Sequence, residues 1–444
     1  MVCKMLILYN ILIISGMISA FPLLFFIVLA SRKRRETLLQ RMGLAQLPEN
    51  IKQNSFNGPD QKPIWIHALS VGEVISALPL VKGIRNRFKN RNIVFSVSTK
   101  TGFETADKLL KKEITALFFF PYDLLFSVKY IAKKIDPAAV IIVESDIWPN
   151  YLFEMKRRKV PLFLVNARLS DRSFKGYRRF LFFSRPLFSM FSSICTQTGE
   201  DARRFELLEI PSGKIKVVGN LKFDQESPFI FEDGIKKTEE LMSIKPKQKV
   251  LLAGSTHKGE ESILLAAFSK LKKDFSDLFM IVAPRDPKRS EAVCRLFKSS
   301  GFSACLFKDL SCPSANRRFD VIIIDTIGIL RKLYAVSDLA FIGGSLVDMG
   351  GHNPLEPAAF SKPIIFGPYM NNFVQISELF LKSGGAVQVE NVKSLYETAS
   401  MLLSDDEKSR IMGEKAFNLF NQNKGAVGKI LKVMTAGIAC GHDC

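Results

Sequence analysis

Short apolar runs, each closed by turn residues and separated from the next by an amphipathic stretch, recur along most of this chain. IWIHAL (64–69), IVFSVST (93–99), AVIIVES (139–145), PLFLVNA (161–167), ICTQT (194–198) and IKVVGN (215–220) form a first series. Such continuous apolar runs fit strands buried on both faces. Between them the spacing is helical: Val74, Ala77, Leu78, Val81, Ile84 and Phe88 share one side, interleaved with Lys82, Arg85, Arg87 and Lys89. Strand and helix in alternation predict a parallel α/β sheet. A polar stretch at about 224–248 interrupts the rhythm, which restarts with VLLAGST (250–256), LFMIVAP (278–284), VIIIDT (321–326), LAFIGGS (339–345), PIIFGP (363–368) and AVQV (386–389). The expectation is two doubly wound, Rossmann-like domains facing one another across a cleft, with ligands at the carboxyl ends of the strands. Expected boundaries are 1–35 for an N-terminal segment, 36–224 for the first domain and 225–444 for the second. A final helical stretch, roughly 405–436, is expected to pack back on the first domain.

Composition narrows the partners. The 444 residues are 47% hydrophobic, which excludes disorder and fibrous repeats, and the balance of 63 Lys and Arg against 43 Asp and Glu leaves a net charge of +20. Such a surplus calls for an acidic partner: nucleic acid, anionic membrane or phosphorylated substrate. The seven cysteines are scattered without a CxxC pair, so neither a disulfide framework nor a zinc site is expected, and a reducing compartment fits. The terminal CGHDC is read as tail rather than metal clip.

From Met5 to Ser31 the chain carries no charge, and the basic cluster Arg32, Lys33, Arg34 and Arg35 follows at once. About 20 apolar residues suffice to cross a bilayer. The positive-inside rule then keeps the cluster, and everything after it, on the cytoplasmic face. Pro22 and Tyr9 leave open a segment that lies in one leaflet. A cleaved signal peptide is disfavoured by the length of the run and the placement of the charges.

The rare residues sit at strand ends. The chain has four histidines and two tryptophans, and Trp65, His67, Trp148, His257 and His352 all lie within or just after a strand. Trp65 and Trp148 are assigned to the core. After the first strand, Ser70-Val71-Gly72-Glu73 fits a capping box, with Ser70 as N-cap. It equally fits a general base, Glu73, aimed at an incoming hydroxyl, and spacing does not choose between them. Glu144 and Asp146 in VESDIWPN are expected to point the same way from a strand end. No further carboxylate or His cluster supports a metal there, so Glu144 is read as facing a cationic sugar transition state or an acceptor hydroxyl, and no metal is expected.

In the second series, Ser255, Thr256, His257 and Lys258 stand at a strand-to-helix turn suited to a phosphate, and Arg285 ends the next strand as a fixed cation. GGSLVDMGGHNPLEP (343–357) is the richest stretch. Asn353 as N-cap, Pro354 first in the helix and Glu356 third would start a helix cleanly. The Gly pairs and His352 just upstream fit close approach of a nucleotide, whose ribose hydroxyls Glu356 would bind.

Taken together, SVGE (70–73), PYDL (121–124), ESDIWPN (144–150), NARLS (166–170), NLKFD (220–224), GSTHKGEE (254–261), APR (283–285), DTIG (325–328), GGSL and GGHNPLEP resemble the Kdo transferases. These enzymes move 3-deoxy-D-manno-octulosonic acid (Kdo) from CMP-Kdo onto lipid A precursor in bacteria with lipopolysaccharide. The resemblance implies a GT-B glycosyltransferase with inverting chemistry and no cofactor, working at the cytoplasmic face of the inner membrane. It implies Glu73 as general base and Glu144 and Lys222 as transition-state stabilisers. It places Ser255, Thr256, His257, Lys258, Pro284, Arg285, Ile327, Gly328, Ile329, Gly344, Ser345, Gly351, His352, Asn353, Pro354, Leu355 and Glu356 around CMP. Ser70, Gly72, Asp146 and Arg168, with Lys175, Arg178 and Arg179, fall on the acceptor or membrane side. Two positions depart from the pattern: Asp286 stands where the family has His, and Ile329 where it has Glu.

The acceptor so implied, the phosphorylated glycolipid lipid IVA, gives the positive charge a reason. The segment 171–191 mixes Lys175, Arg178, Arg179 and Arg185 with Phe174, Tyr177, Phe180, Phe182, Phe183 and Phe188. That mixture fits an anionic membrane surface or an ordinary amphipathic helix equally. No nucleic-acid-binding signature accompanies it. Two alternatives remain: a membrane-associated GT-B enzyme using a nucleoside-diphosphate sugar, or a non-catalytic lipid-binding scaffold.

Overall fold

The computed structural model describes residues 2–30, 32–44, 47–48, 62–144, 146–224, 232–311 and 318–440. His442, Asp443 and Cys444 of the terminal run, and Ser145 between the two acidic residues, lie outside them. The chain divides into two compact units, Met1–Gln225 with Lys424–Cys444, and Glu226–Asn423.

The first unit is built on a seven-stranded sheet: β1 Ile64–Ala68, β2 Ile93–Val97, β3 Ala116–Phe119, β4 Ala139–Val143, β5 Leu162–Ala167, β6 Ser193–Thr196 and β7 Ile215–Val217. The order is β3-β2-β1-β4-β5-β6-β7 and every pairing is parallel. Side-chain alternation gives the central strands two buried faces. Trp65, Val140, Ile142 and Leu164 join one core, while Ile64, Ile66, Ile141 and Val165 join the other. The helix Ala426–Cys440 covers the second face, burying Ala426, Ile430, Met434 and Ile438, the three larger side chains each contributing on the order of 2 kcal/mol. Asp224 ends NLKFD by accepting the N–H groups of Gly425 and Val427 at 2.6 and 2.5 Å, which fixes where that helix begins.

The second unit repeats the plan with β8 Val250–Thr256, β9 Phe279–Pro284, β10 Ala304–Leu306, β11 Val321–Ile323, β12 Leu339–Ile342, β13 Ile364–Phe366 and β14 Ala386–Gln388. Their order is β10-β11-β9-β8-β12-β13-β14, again all parallel. In each sheet the strand order reverses beside the first strand, between β1 and β4 and between β8 and β12.

Several expectations need correction. The apolar series lacks two edge strands, β3 and β10; β3 buries only alternate residues, while β10 is buried throughout. The stretch 405–436 is two helices, Asp406–Gln422 and Ala426–Cys440, broken at Gly425 with φ 101°; only the second belongs to the first unit. The segment 171–191 is likewise two helices, Asp171–Arg179 and Leu181–Phe188, separated at Phe180. The N-terminal run forms the helix Val2–Ala30. Over the described residues, no helix is long and apolar enough to cross a membrane. Cys195, Cys294 and Cys305 are free and buried.

Candidate functional site

In the first unit, the candidate carboxylates gather at the carboxyl ends of β1 and β4, beside the reversal of strand order. Glu73 stands in the first turn of the helix Val71–Arg87, only 9% exposed. Ser70 has N-cap geometry, but its side chain caps nothing. Glu73 reaches back one residue further than a capping box requires, accepting the Leu69 N–H at 2.5 Å and the Ser70 hydroxyl at 3.3 Å. Gly72 is exposed beside it, with room around its Cα. Burial pushes the Glu73 carboxyl up to about 8; the Leu69 N–H opposes this, and the charges of Glu144 and Asp146 add to it.

Glu144 and Asp146 were expected to share a strand face. Instead β4 ends at Val143, and Glu144 takes φ 64°, a left-handed conformation unfavourable to a side chain. Alternation therefore does not govern their directions. Glu144 is half-buried, its carboxyl raised by burial against Lys222, Arg168 and Asn166. Lys222 is lowered by burial, with Glu144 opposing and Arg168 reinforcing. Asn166, also left-handed at φ 54°, accepts the Leu221 N–H at 3.0 Å and so ties the Lys222 turn to the end of β5. Arg168 is exposed.

Asp146 pairs with a residue that the sequence reading left without a role. His67 Nε2 lies 3.1 Å from Asp146 Oδ2, and its Nδ1 lies 3.0 Å from the Ser96 carbonyl and 3.1 Å from Ser96 Oγ. The His67 ring stacks on Phe120 at 3.9 Å, and Trp65 Nε1 donates to Ser96 Oγ at 2.8 Å. Trp65 is thus core, as assigned. Lys175, Arg178 and Arg179 are exposed on the helix Asp171–Arg179, which buries no residue.

In the second unit the glycine-rich loop is organised by a carboxylate that the sequence reading passed over. Glu260, wholly buried at the start of the helix Glu260–Asp274, accepts four backbone N–H groups: His257 at 2.9 Å, Gly344 at 2.7 Å, Ser345 at 3.0 Å and Leu346 at 2.9 Å. The signal was present in GSTHKGEE, where an acidic pair begins a helix. Its neighbour Glu261 holds Arg289 through two contacts of 2.9 and 3.0 Å and accepts the Thr256 hydroxyl at 3.0 Å.

Around that scaffold the structure brings together His257 and His352, whose Nε2 atoms are 2.8 Å apart with the rings stacked. Burial, Arg285 and His257 hold His352 down to about 4, and burial lowers His257 as well. Arg285 is exposed after β9, which ends at Pro284, and its charge reaches both His352 and Glu356. Glu356 is raised by burial against Arg331, Asn353 and Arg285.

Other expected contacts serve the fold. The Thr256 and Ser345 hydroxyls are turned inward, Ser345 Oγ donating to the Ile342 carbonyl and accepting the Gly367 N–H at 2.7 Å. Gly343 is needed because a Cβ there would stand 2.3 Å from the Ser255 carbonyl oxygen, so close approach of backbone to backbone explains it. A Cβ on Gly351 would meet the Met370 sulfur at 2.3 Å. Gly344 takes φ 69° under the two histidines. The expected helix start is displaced: Pro354 is the N-cap of the four-residue helix Leu355–Ala358, Leu355 is buried, and Asn353 Oδ1 accepts the Leu355 N–H at 3.1 Å.

Ser255 is left-handed at φ 58°, and Lys258 is exposed. Ile327 is 70% exposed and precedes Gly328 at φ 98°. The two departures have local reasons. Asp286 caps the turn Pro287–Arg289 by accepting the Lys288 N–H at 3.1 Å, and Ile329 packs against the core at the start of Leu330–Val336. Among the described residues, no group of three or more His, Cys, Asp or Glu is placed to hold a metal ion.

Each unit thus carries a cluster of candidate residues at its strand-order reversal, carboxylate-rich in the first and built from glycines, histidines and arginine in the second. Residues 36–225 match the family described as 3-Deoxy-D-manno-octulosonic-acid transferase (kdotransferase). Over 406 residues the chain is 31% identical to the 3-deoxy-D-manno-octulosonic acid transferase of Haemophilus influenzae, covering 91% of this chain and 92% of that one. The chain belongs to the Kdo transferase family. The Rickettsia felis member is 32% identical over 374 residues, 84% of this chain and 78% of that one. A UDP-GlcNAc 2-epimerase from Neisseria meningitidis, solved with UDP-GlcNAc, superposes with a TM-score of 0.57 at 14% identity, over 84% of this chain and 100% of that one. That likeness concerns the fold alone, the GT-B arrangement of two doubly wound sheets. The family match falls on the unit holding Glu73 and Glu144.

Proposed function

We propose that this protein transfers Kdo from CMP-Kdo to a hydroxyl of lipid IVA at the cytoplasmic face of the inner membrane. The observation that carries the mechanism is the environment of Glu73, a carboxylate buried at a strand end and pushed up to about 8 by its surroundings. A base of that strength is matched to removing a proton from an alcohol as it attacks. The acceptor oxygen bonds to the anomeric carbon with inversion, its proton goes to Glu73, and the bond to the CMP phosphate oxygen breaks. Glu144 faces the oxocarbenium-like sugar, and Lys222 offsets the charge that gathers on the departing phosphate.

The second unit is assigned CMP. Arg285 supplies a fixed cation, and Glu356 takes the hydroxyls of the ribose. Kdo chemistry needs no divalent ion in this scheme, because CMP leaves as a monophosphate that side-chain cations can neutralise.

The deciding experiment incubates the full chain with CMP-Kdo and tetraacylated lipid A precursor and reads the product masses. A mass increase by one or more Kdo units is expected. Protection of the protein by UDP but not by CMP, with no Kdo product, would instead favour a nucleoside-diphosphate sugar donor.

A further inference from the structure

The N-terminal helix is fastened to the first unit by polar contacts that an indifferent anchor would not need. Tyr9 donates its hydroxyl proton to Asp123 Oδ2 at 2.9 Å, and Asn10 and Asn150 exchange amide hydrogen bonds at 2.8 and 2.9 Å. Asp123 also accepts the N–H groups of Asn150 and Tyr151 at 3.0 and 2.9 Å, so one carboxylate joins both segments. The first half of the helix is therefore a wall of this unit.

Opposite that wall stand the helices Asp171–Arg179 and Leu181–Phe188, and between them lies a cavity of about 630 Å³. Its lining is apolar along Leu8, Leu12, Tyr177, Phe180 and Phe183, with Gly176 leaving space on one side. Ligand pockets fall in this size range. Leu8, Leu12, Phe180 and Phe182 are each more than half exposed, an apolar surface that water does not favour. Arg172 lines the same cavity, and Lys175, Arg178 and Arg179 follow it on one exposed helix.

We infer that this groove binds an acyl chain of the glycolipid acceptor, with the acceptor's phosphate drawn to the basic helix at its edge. The inference rests on the lipid-acceptor reading above and adds where the chain is held. Apolar walls and cationic rim match the two halves of an anionic lipid.

Gly176→Phe tests it without straining the fold, since a Cβ at Gly176 meets nothing within 4 Å and the residue is helical. Filling the groove should raise KM for tetraacylated acceptor about tenfold relative to KM for the deacylated acceptor, the equivalent of roughly two methylenes left unburied. An unchanged ratio overturns the inference. Independently of turnover, wild-type full chain in micelles should be photolabelled by an acceptor carrying a diazirine on its acyl chain, in the peptides containing Leu8–Leu12 and Tyr177–Phe183. Labelling elsewhere, or labelling abolished equally by phosphatidylglycerol micelles, assigns the surface to bulk lipid and overturns it. Labelling in the groove without Kdo transfer leaves the groove standing and removes the proposed function.

Discussion

Glu73 and Glu260 occupy the same place in the two sheets: each begins the helix after the first strand, beside the reversal of strand order. Their surroundings differ. Glu260 accepts four backbone N–H groups and joins its own turn to the glycine-rich loop. Glu73 has one backbone donor and a long hydroxyl contact, and it lies near two further carboxylates. Saturated with donors, a buried carboxylate becomes part of the architecture. Burial raises both carboxyls; at Glu260 four N–H groups oppose it, whereas Glu73 has few donors and two further carboxylates add to the rise. One topological position therefore holds a loop-organising carboxylate in one unit and, in the other, the carboxylate proposed above as the base.

The sharpest way to break this contrast is to replace both residues. Glu73→Gln should lower transfer by ~10²–10⁴, while CMP affinity and melting temperature change little. A variant that melts several degrees lower yet still turns over would make Glu73 a cap. Glu260→Ala should do the reverse. Its four N–H groups lose their partner, at a cost of about 1–3 kcal/mol for each one left unsatisfied. The expected readout is a lower melting temperature with KM for CMP-Kdo raised more than kcat is reduced.

A pH series sharpens the comparison. Glu73 must be unprotonated to act, so kcat/KM for the acceptor should rise through an apparent pKa of about 8 and level off above it. A plateau beginning near pH 5 would remove Glu73 from the role. Stability should show the opposite trend. Because the folded carboxyl titrates near 8 and an unfolded one near 4.3, the native state holds more protons between those values and loses stability as pH rises through that window. Glu73→Gln should therefore flatten the slope of melting temperature against pH over that range. The smallest expected effect is that of EDTA: none on the initial rate. A loss restored by a divalent ion would return Glu144 and Asp146 to a metal-binding reading.

The contrast also marks what the sequence could disclose. GSTHKGEE shows an acidic pair at a helix start, but not that Glu260 reaches a loop some 85 residues away, as its contact with Ser345 requires. SVGE places Glu73 at a helix start and leaves open whether it caps or reacts, because its proton affinity depends on burial and on Glu144 and Asp146 arriving from another strand. His67 carried no local signal beyond its rarity; its pairing with Asp146 exists only once β1 and β4 are neighbours.

Apolar continuity and helical spacing determined the two parallel sheets, since strands buried on both faces must be apolar throughout. The short edge strands β3 and β10 obey that rule in composition, ALFF and ACL, yet lie outside the series read from the sequence. Motif order along the chain likewise pointed to the family to which the chain belongs. Tertiary structure alone decided which glutamate is saturated with donors, and that the N-terminal helix is bound to the first unit through Asp123 and Asn150. Hydrogen-bond partners and local charge are set by residues distant in sequence, so proton affinity and groove shape emerge only when the chain has folded.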